Sequence, residues 1–390
     1  MTEITLQKFH RMRDALNGEL LERSDVIDTA LVALACRKHH FQVGPPGVAK
    51  SALVTRLVAR IGGLEETDVF YKLLTRTTVE DEIFGTPDFT EMLQNNVYVR
   101  NTHGRLPEAR FAFLDEIFKG GSTVLNALLL AMNERQFDSE GDRIDIPLQV
   151  IFGASNELAE GEELDAMWDR LHFRHVVEPL QDPASFIKMM QGTFDPDPQP
   201  LLMLDDIIKA QQEADAVTVP LNIVQALKDL QHNLDKNHGV RPTDRRWRES
   251  LDIIKANAWY HGAEEVEILH CRILMHVMWD SPDQIDQVMD AVLALADPLE
   301  RDAQNGYNDL LGLLRNFNEQ MQKAETRSKR NNLSVDTTKK IEDLKSEMKG
   351  LAVSLADQGR ELPIMAAFDQ KVREVSKHVL AEGMGVGVPS

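Results

Sequence analysis

Cysteine is nearly absent. Cys36 and Cys271 are the only two in 390 residues. No disulfide framework can be built from them, and a reducing compartment, the cytoplasm, is expected. There is no run of 18 apolar residues, so no membrane-spanning helix is expected. Basic residues are in deficit: 43 Lys and Arg stand against 63 Asp and Glu, for a net charge of −20. This argues against broad electrostatic binding to a phosphate backbone, so nucleic acid is not an expected partner. The stretch Met1 to Asp14 mixes charged and apolar residues and lacks the pattern of a signal peptide. The remaining composition, 43% hydrophobic and 27% charged, is that of an ordinary globular chain, long enough for two or three domains.

The strongest local signal is Gly44-Pro45-Pro46-Gly47-Val48-Ala49-Lys50-Ser51. Phe41-Gln42-Val43 before it reads as a short strand leaving a His39-His40 edge. From Ala52 to Ile61, apolar residues recur at helical spacing (Leu53, Val54, Leu57, Val58, Ile61). Strand, glycine turn, Lys-Ser and helix is the context of a phosphate-binding loop. Backbone N–H groups and the helix N-terminus converge on phosphate oxygens. Lys50 would neutralise the β- and γ-phosphates of ATP, and the Ser51 hydroxyl would ligate Mg²⁺. Ala49 stands where a second glycine is expected. A Cβ is tolerated there if φ is negative, as at a helix start. The alternative is a Gly-Pro-Pro-Gly surface turn before an ordinary helix.

Two helices are expected over 4–38, the second capped by Ser24-Asp25. Asp68 to Leu74 reads as a strand, Val79 to Gly85 as a short helix, and Thr86 to Pro107 as a hairpin-like insert around Val97-Tyr98-Val99. Ala109 to Glu116 is a buried strand ending in two acids. Asp115 would hold Mg²⁺ and Glu116 would orient and deprotonate the attacking water. Ser122 to Arg135 is helical, and Phe137 to Pro147 reads as a tight hairpin around Glu140-Gly141-Asp142. Leu148 to Ala154 is the next strand. It delivers Asn156 to the carboxyl edge of a parallel sheet, where ligands sit. Its amide would polarise the water or meet the γ-phosphate, or else simply cap a helix. Asp169-Arg170-Leu171 then leads into a strand from His172 to Val177. Residues 1–180 are thus an α/β domain with a parallel sheet.

From Asp182 to Ile285 the pattern is helical without strand alternation, and Ile268 to Trp279 is its most apolar helix. Within it, Arg241 to Arg248 is either a helix start capped by Thr243 or a turn that aims an arginine at the nucleotide. Residues 181–285 form an all-α domain. In 286–390, Tyr307 to Met321 and Ile341 to Leu355 carry narrow apolar seams. The polar Ser328 to Ser334 separates them in the manner of a helical hairpin. Ile364 to Val379 makes a third helix, and the tail Gly383 to Ser390 is expected to be flexible.

The blocks GPPGVAKS, YKLLTRTTVEDEIFG, FAFLDEIFKGGSTVLNALLLAMNERQF, ASNE and WDRL, followed by DRRW, resemble the MoxR branch of AAA+ ATPases, and within it the RavA group. The resemblance covers residues 1 to about 285. It implies a P-loop AAA+ sheet with helices on both faces, an all-α lid and, here, a C-terminal helical extension. By resemblance, residues 44 to 52 (Gly44 to Ala52) form Walker A, with Lys50 and Ser51 in their usual roles. Asp115 and Glu116 form Walker B, Asn156 is sensor 1, Arg170 the arginine finger offered to a neighbour, and Arg245 sensor 2. Residues 79–107 correspond to the helix-2 insert and 136–147 to the pre-sensor-1 hairpin. The resemblance further implies ATP and Mg²⁺ as cofactors, a hexameric ring, and remodelling of a protein partner with a von Willebrand A domain. RavA-like proteins often carry a larger C-terminal extension with strands, whereas only about 100 helical residues follow the lid here.

Three functions compete: a ring ATPase that remodels a protein, a nucleic-acid motor of the same fold, and a nucleotide-gated scaffold. Intact Lys50, Asp115 and Glu116 disfavour the scaffold. The charge of −20 and the lack of interleaved basic and aromatic residues disfavour the nucleic-acid motor.

Overall fold

The computed structural model describes residues 3–384 except 97–98, 140–141, 159–161, 193–197 and 325. The tail 385–390, the Val97-Tyr98 pair and the Glu140-Gly141 turn lie outside the described residues. Two compact units divide the chain, Met1–Val288 and Met289–Ser390. Of the net charge of −20, the second unit carries only −2, with 16 acids against 14 bases.

The first unit is built on five parallel strands: β1 (His39–Val43), β2 (Val69–Leu73), β3 (Phe111–Asp115), β4 (Val150–Ser155) and β5 (Leu171–Val176). Their order across the sheet is β5-β1-β4-β3-β2. Every residue of β1 and of β4 is buried, as a parallel sheet covered on both faces requires. Helices α1 (Glu3–Glu19), α2 (Ser24–Cys36) and α3 (Lys50–Val58) come from the first third of the chain. Helix α2 packs on β1 and β5, and α3 on β3 and β4. The expected cap of α2 is not formed by Ser24. Arg23 is the cap residue, and the Ser24 hydroxyl donates to Asn17 Oδ1 at 3.0 Å instead. The expected His39-His40 edge belongs to β1, with both side chains buried.

The insert differs from expectation by one element. Thr86–Pro87 and Arg100–Asn101 pair antiparallel as hairpin arms should. Between them lies α5 (Phe89–Asn95), following the short α4 (Asp81–Phe84). Asp88 caps α5 by accepting from the Thr90 and Glu91 N–H groups. No side chain of α5 is buried, so no amphipathic stripe announced it. Helix α6 (Ser122–Glu134) follows as read, and Gln136–Ser139 pairs antiparallel with Asp142–Asp145. Helix α7 (Glu162–Arg170) precedes β5. Arg170 is thus the last residue of a helix, and Leu171 already belongs to β5.

After β5 come α8 (Pro183–Gln191), α9 (Leu204–Asp215), α10 (Leu221–Asn233) and α11 (Asp244–Tyr260). Helices α9 and α11 pack on α2 and on each other. Two expectations fail here. Ile61 leaves its helix: Ile61–Gly62 and Leu202–Met203 form a small parallel pair, so this region is not strand-free. The apolar stretch from Ile268 is a 3-10 helix, Ile268–His276. It packs on α11 and β5, and that burial of His270, Cys271, Ile273, Leu274 and Met275 outweighs helix propensity.

Three histidines stack where this 3-10 helix meets the sheet. His175 lies between His40 and His276, at ring-centroid distances of 5.2 and 4.5 Å. Thr29 Oγ1 lies 3.1 Å from His40 Nε2 and 2.7 Å from His175 Nε2. Burial, and then the neighbouring ring of the stack (His175 for His40, His276 for His175), push His40 and His175 well below the usual imidazole range, and burial takes His276 down to about 3.

Helix α12 (Ile285–Ala296) leads to the second unit. There α13 (Pro298–Lys323), α14 (Arg327–Asp357) and α15 (Pro363–Met384) form a three-helix bundle. Leu310, Phe317, Ile341, Met348, Phe368 and Val375 lie in its core. Ser328 to Ser334 is not the turn. It forms the first two turns of α14, capped by Thr326, whose Oγ1 accepts from Lys329 N at 3.3 Å. Among the described residues no helix is long and apolar enough to cross a membrane.

Candidate active site

The loop 44–49 leaves β1 between its two neighbours. Gly44 N donates to Ser155 O at 3.2 Å, and Val177 N donates to Val43 O at 2.7 Å. A Cβ on Gly44 would lie 2.1 Å from Val177 O, so glycine alone fits against β5. Pro45, Pro46 and Gly47 are exposed, Val48 is buried, and Ala52 is half-buried in the first turn of α3. Gly47 turns with φ 88°. The expectation of a negative φ at Ala49 fails: it has φ 68° and ψ 26°. The chain must reverse within six residues to start α3, and two left-handed residues make the reversal. For alanine that conformation costs roughly 1–2 kcal/mol.

Lys50 opens α3 with a side chain that is only 8% exposed. Its ammonium donates to Gly44 O (2.5 Å), Pro45 O (3.1 Å) and Asn156 Oδ1 (2.8 Å). All three N–H donors are thus used on neutral oxygens. Burial lowers the proton affinity of Lys50, and the charges of Asp115 and Glu116 oppose that shift. A buried cation bonded only to neutral oxygens, at the mouth of a glycine turn, fits an anionic phosphate.

Glu116 follows β3 with φ 51°, which swings its carboxylate toward the end of β4. It accepts from Ser155 Oγ (3.3 Å), from Asn156 N (3.4 Å) and from the Asn156 side-chain amide. Lys119 forms an ion pair with it at 3.3 Å. Asn156 therefore bridges Lys50 and Glu116. Asp115 is half-buried at the end of β3, in register with Leu73 on β2 and Ala154 on β4. Its Oδ1 accepts from Glu116 N at 3.0 Å. Ser51 is exposed in the first turn of α3. A hydroxyl and a carboxylate are hard oxygen donors, suited to a hydrated Mg²⁺.

The two arginines singled out by resemblance meet each other. Arg170 Nε donates to Asn133 Oδ1 at 2.9 Å, and Arg245 Nη1 donates to the same oxygen at 3.0 Å. Arg170 also donates to Ala166 O at 2.6 Å. Burial, and then the charge of Arg245, lower the affinity of Arg170 for its proton. Asp169 pairs with Arg246 at 3.0 Å and not with Arg170. Thr243 caps α11 as read, accepting from Arg246 N at 3.1 Å. Asn133, Lys119 and Ser155 were missed by sequence reasoning. Each is an ordinary polar residue at an element end, with no local signal beyond its neighbours.

A five-stranded parallel sheet in this order, with a glycine-rich loop after β1, acids after β3, asparagine after β4 and helices following the sheet, is the AAA fold. Residues 7–212 match the family described as the MoxR domain in the MoxR-vWA-β-propeller ternary systems, and residues 222–292 match an AAA lid domain. The chain belongs to the MoxR family. It is 40% identical over 286 residues to the uncharacterised protein MJ0079 of Methanocaldococcus jannaschii, covering 73% of each chain. It is 25% identical over 200 residues to the chaperone MoxR1 of Mycobacterium tuberculosis, covering 50% of this chain and 51% of that one. The crystal structure of a candidate ATPase from Cytophaga hutchinsonii superposes with a TM-score of 0.60 at 16% identity, over 75% of this chain and 95% of that one.

Proposed function

We propose that this protein hydrolyses ATP in a ring, most simply a hexamer, to remodel a protein partner. The observation that carries the reading is the bridge Lys50–Asn156–Glu116, which ties a phosphate-facing cation to an acid through one amide. Mg²⁺, when bound through Ser51 and Asp115, supplies charge that neutralises the phosphate oxygens. Lys50 binds and orients the phosphates. Glu116, steered by Asn156, is the proton acceptor for the attacking water. Arg170 offers its guanidinium to the γ-phosphate held by a neighbouring copy. The Walker and sensor roles, and the likeness of the motif blocks to the RavA group, belong to this reading. So does the division of labour: 1–180 binds nucleotide, 181–285 forms the lid and 286–390 reaches the partner. The matched family's description supports a partner bearing a von Willebrand A domain. Two unpaired thiols, Cys36 and Cys271, support a cytoplasmic setting.

Glu116→Gln tests the reading. Turnover should fall roughly 10²- to 10⁴-fold while a fluorescent ATP analogue still binds, whereas Lys50→Ala should lose binding. Equal loss of binding in both would overturn the assignment. Light scattering with a slowly hydrolysed ATP analogue should show a large assembly, and a monomer at micromolar concentration would exclude the ring.

A further inference from the structure

Arg170 ends α7 and Arg245 lies in the first turn of α11, yet both reach one neutral oxygen. Two like charges at one carbonyl would part if the ends of their helices could slide. Each is followed or preceded by a member of an ion network whose two arginines are buried and whose outer acid, Asp280, is partly exposed. Arg246, with a side chain 2% exposed, donates to Asp169 Oδ1 (3.0 Å) and Asp280 Oδ1 (2.6 Å). Asp280 Oδ1 also accepts from Arg174 Nη1 at 3.1 Å. Arg174, fully buried on β5, donates to Leu171 O (2.8 Å) and Trp168 O (2.6 Å) and lies 4.4 Å over the Trp168 ring. Thr243, the cap of α11, donates to the same Asp169 oxygen at 2.8 Å.

The network therefore joins the end of α7, the strand β5, the start of α11 and the segment after the 3-10 helix. As a source of stability it is a poor choice, since apolar side chains of similar volume serve as well or better than buried ion pairs. What it does supply is fixed geometry: Arg246 at two acids and Arg174 at three carbonyls, those of Leu171, Trp168 and Trp279, leave no freedom of register. We propose that Asp169, Arg246, Asp280 and Arg174 are positioning residues that set Arg170 and Arg245 side by side as a two-pronged anion clamp. What the clamp does rests on the ATPase reading above; how it is held does not.

The test uses the full chain and two readouts. The first is independent of turnover: the Nε–H spectrum of ¹⁵N-arginine-labelled protein, with the Arg170 signal assigned through Arg170→Lys. Arg246→Met should move that signal to the position and exchange rate of a solvent-exposed guanidinium. Asp169→Asn should do the same while keeping a side chain of the same shape, and it decides the matter if Arg246→Met does not fold. Arg246→Lys, able to keep one of the two bonds, should fall between. The second readout is kinetic. Arg246→Met should lower kcat roughly 10- to 100-fold and leave the dissociation constant of a fluorescent ATP analogue unchanged. In a protein already carrying Arg170→Ala and Arg245→Ala, it should have no further effect on turnover. An unchanged Arg170 signal in a folded variant overturns the proposal. So does an equal kinetic loss in the background that lacks both arginines. Absence of turnover in the unsubstituted chain would instead remove the ATPase reading, and the spectrum alone would then judge the network.

Discussion

The glycine-loop end of the candidate site and its arginine end are assembled in opposite ways. Asp115 ends β3, Glu116 and Asn156 directly follow β3 and β4, and Lys50 opens the helix after the loop that leaves β1; these three strands are neighbours in one sheet. Each needs only its own strand and the turn after it. Arg170, Arg245 and Asn133 come from the ends of three helices, and an ion network ties two of those ends together. The first end is written in short blocks of sequence. The second exists only when distant elements are packed correctly, and it is the end that a change far from the glycine loop can disturb.

The largest expected effect that would sharpen this contrast is at Arg170. Arg170→Ala should lower turnover by roughly 10³-fold or more and leave nucleotide binding intact, unlike Lys50→Ala. Mixing the two variants should restore part of the activity, because some interfaces then pair an intact phosphate loop with an intact arginine. No recovery from subunits shown to co-assemble would mean that the arginine end serves its own chain.

An intermediate effect concerns pH. His40, His175 and His276 are held neutral in the fold, with folded values below the ordinary imidazole value of about 6.5. The unfolded chain binds the protons that the fold refuses. Stability should therefore be fully present above about pH 7 and decline as pH falls through about 6.5, by at most about 1.4 kcal/mol per pH unit for each histidine. Urea midpoints between pH 7.5 and 5 measure this, and His276→Phe should flatten the slope. A flat profile in the unsubstituted chain would show that the stack opens without cost. Because β1 and β5 carry the stack, both ends of the site should loosen together.

The smallest effect lies in the loop. Ala49→Gly removes a Cβ from a left-handed residue and should raise stability by about 1 kcal/mol at most, read as a small rise in Tm. A fall would show that α3 relies on alanine at its start.

These contrasts explain what could be read in advance. Strand-turn-helix context exposed the loop, and an apolar strand ending in acids exposed β3, because such patterns repeat wherever that chemistry is needed. The backbone of Ala49 was not legible, since one residue type serves both signs of φ and the closure of the turn decides. Neither was α5, which buries no face and so leaves no stripe. Ile61 continued a helical spacing, but its partner Leu202 lies about 140 residues away, and pairing with it ended the helix. Ser328 to Ser334 looked like a turn by polarity alone, yet a long helix with one narrow seam tolerates polar residues on its remaining faces. Asn133 carried no mark at all. Its importance comes from which two helices end beside it.

The uneven charge of the chain bears on the proposed ring. Almost all of the net −20 lies in Met1–Val288, while Met289–Ser390 is close to neutral. Identical subunits that bring their first units together repel one another through the surrounding water, over a range of about 8 Å at physiological ionic strength and about 30 Å at 0.01 M. Self-association is therefore expected to tighten as salt is raised from very low concentration, the reverse of binding to nucleic acid. Buffers chosen for low conductivity would hold the subunits apart.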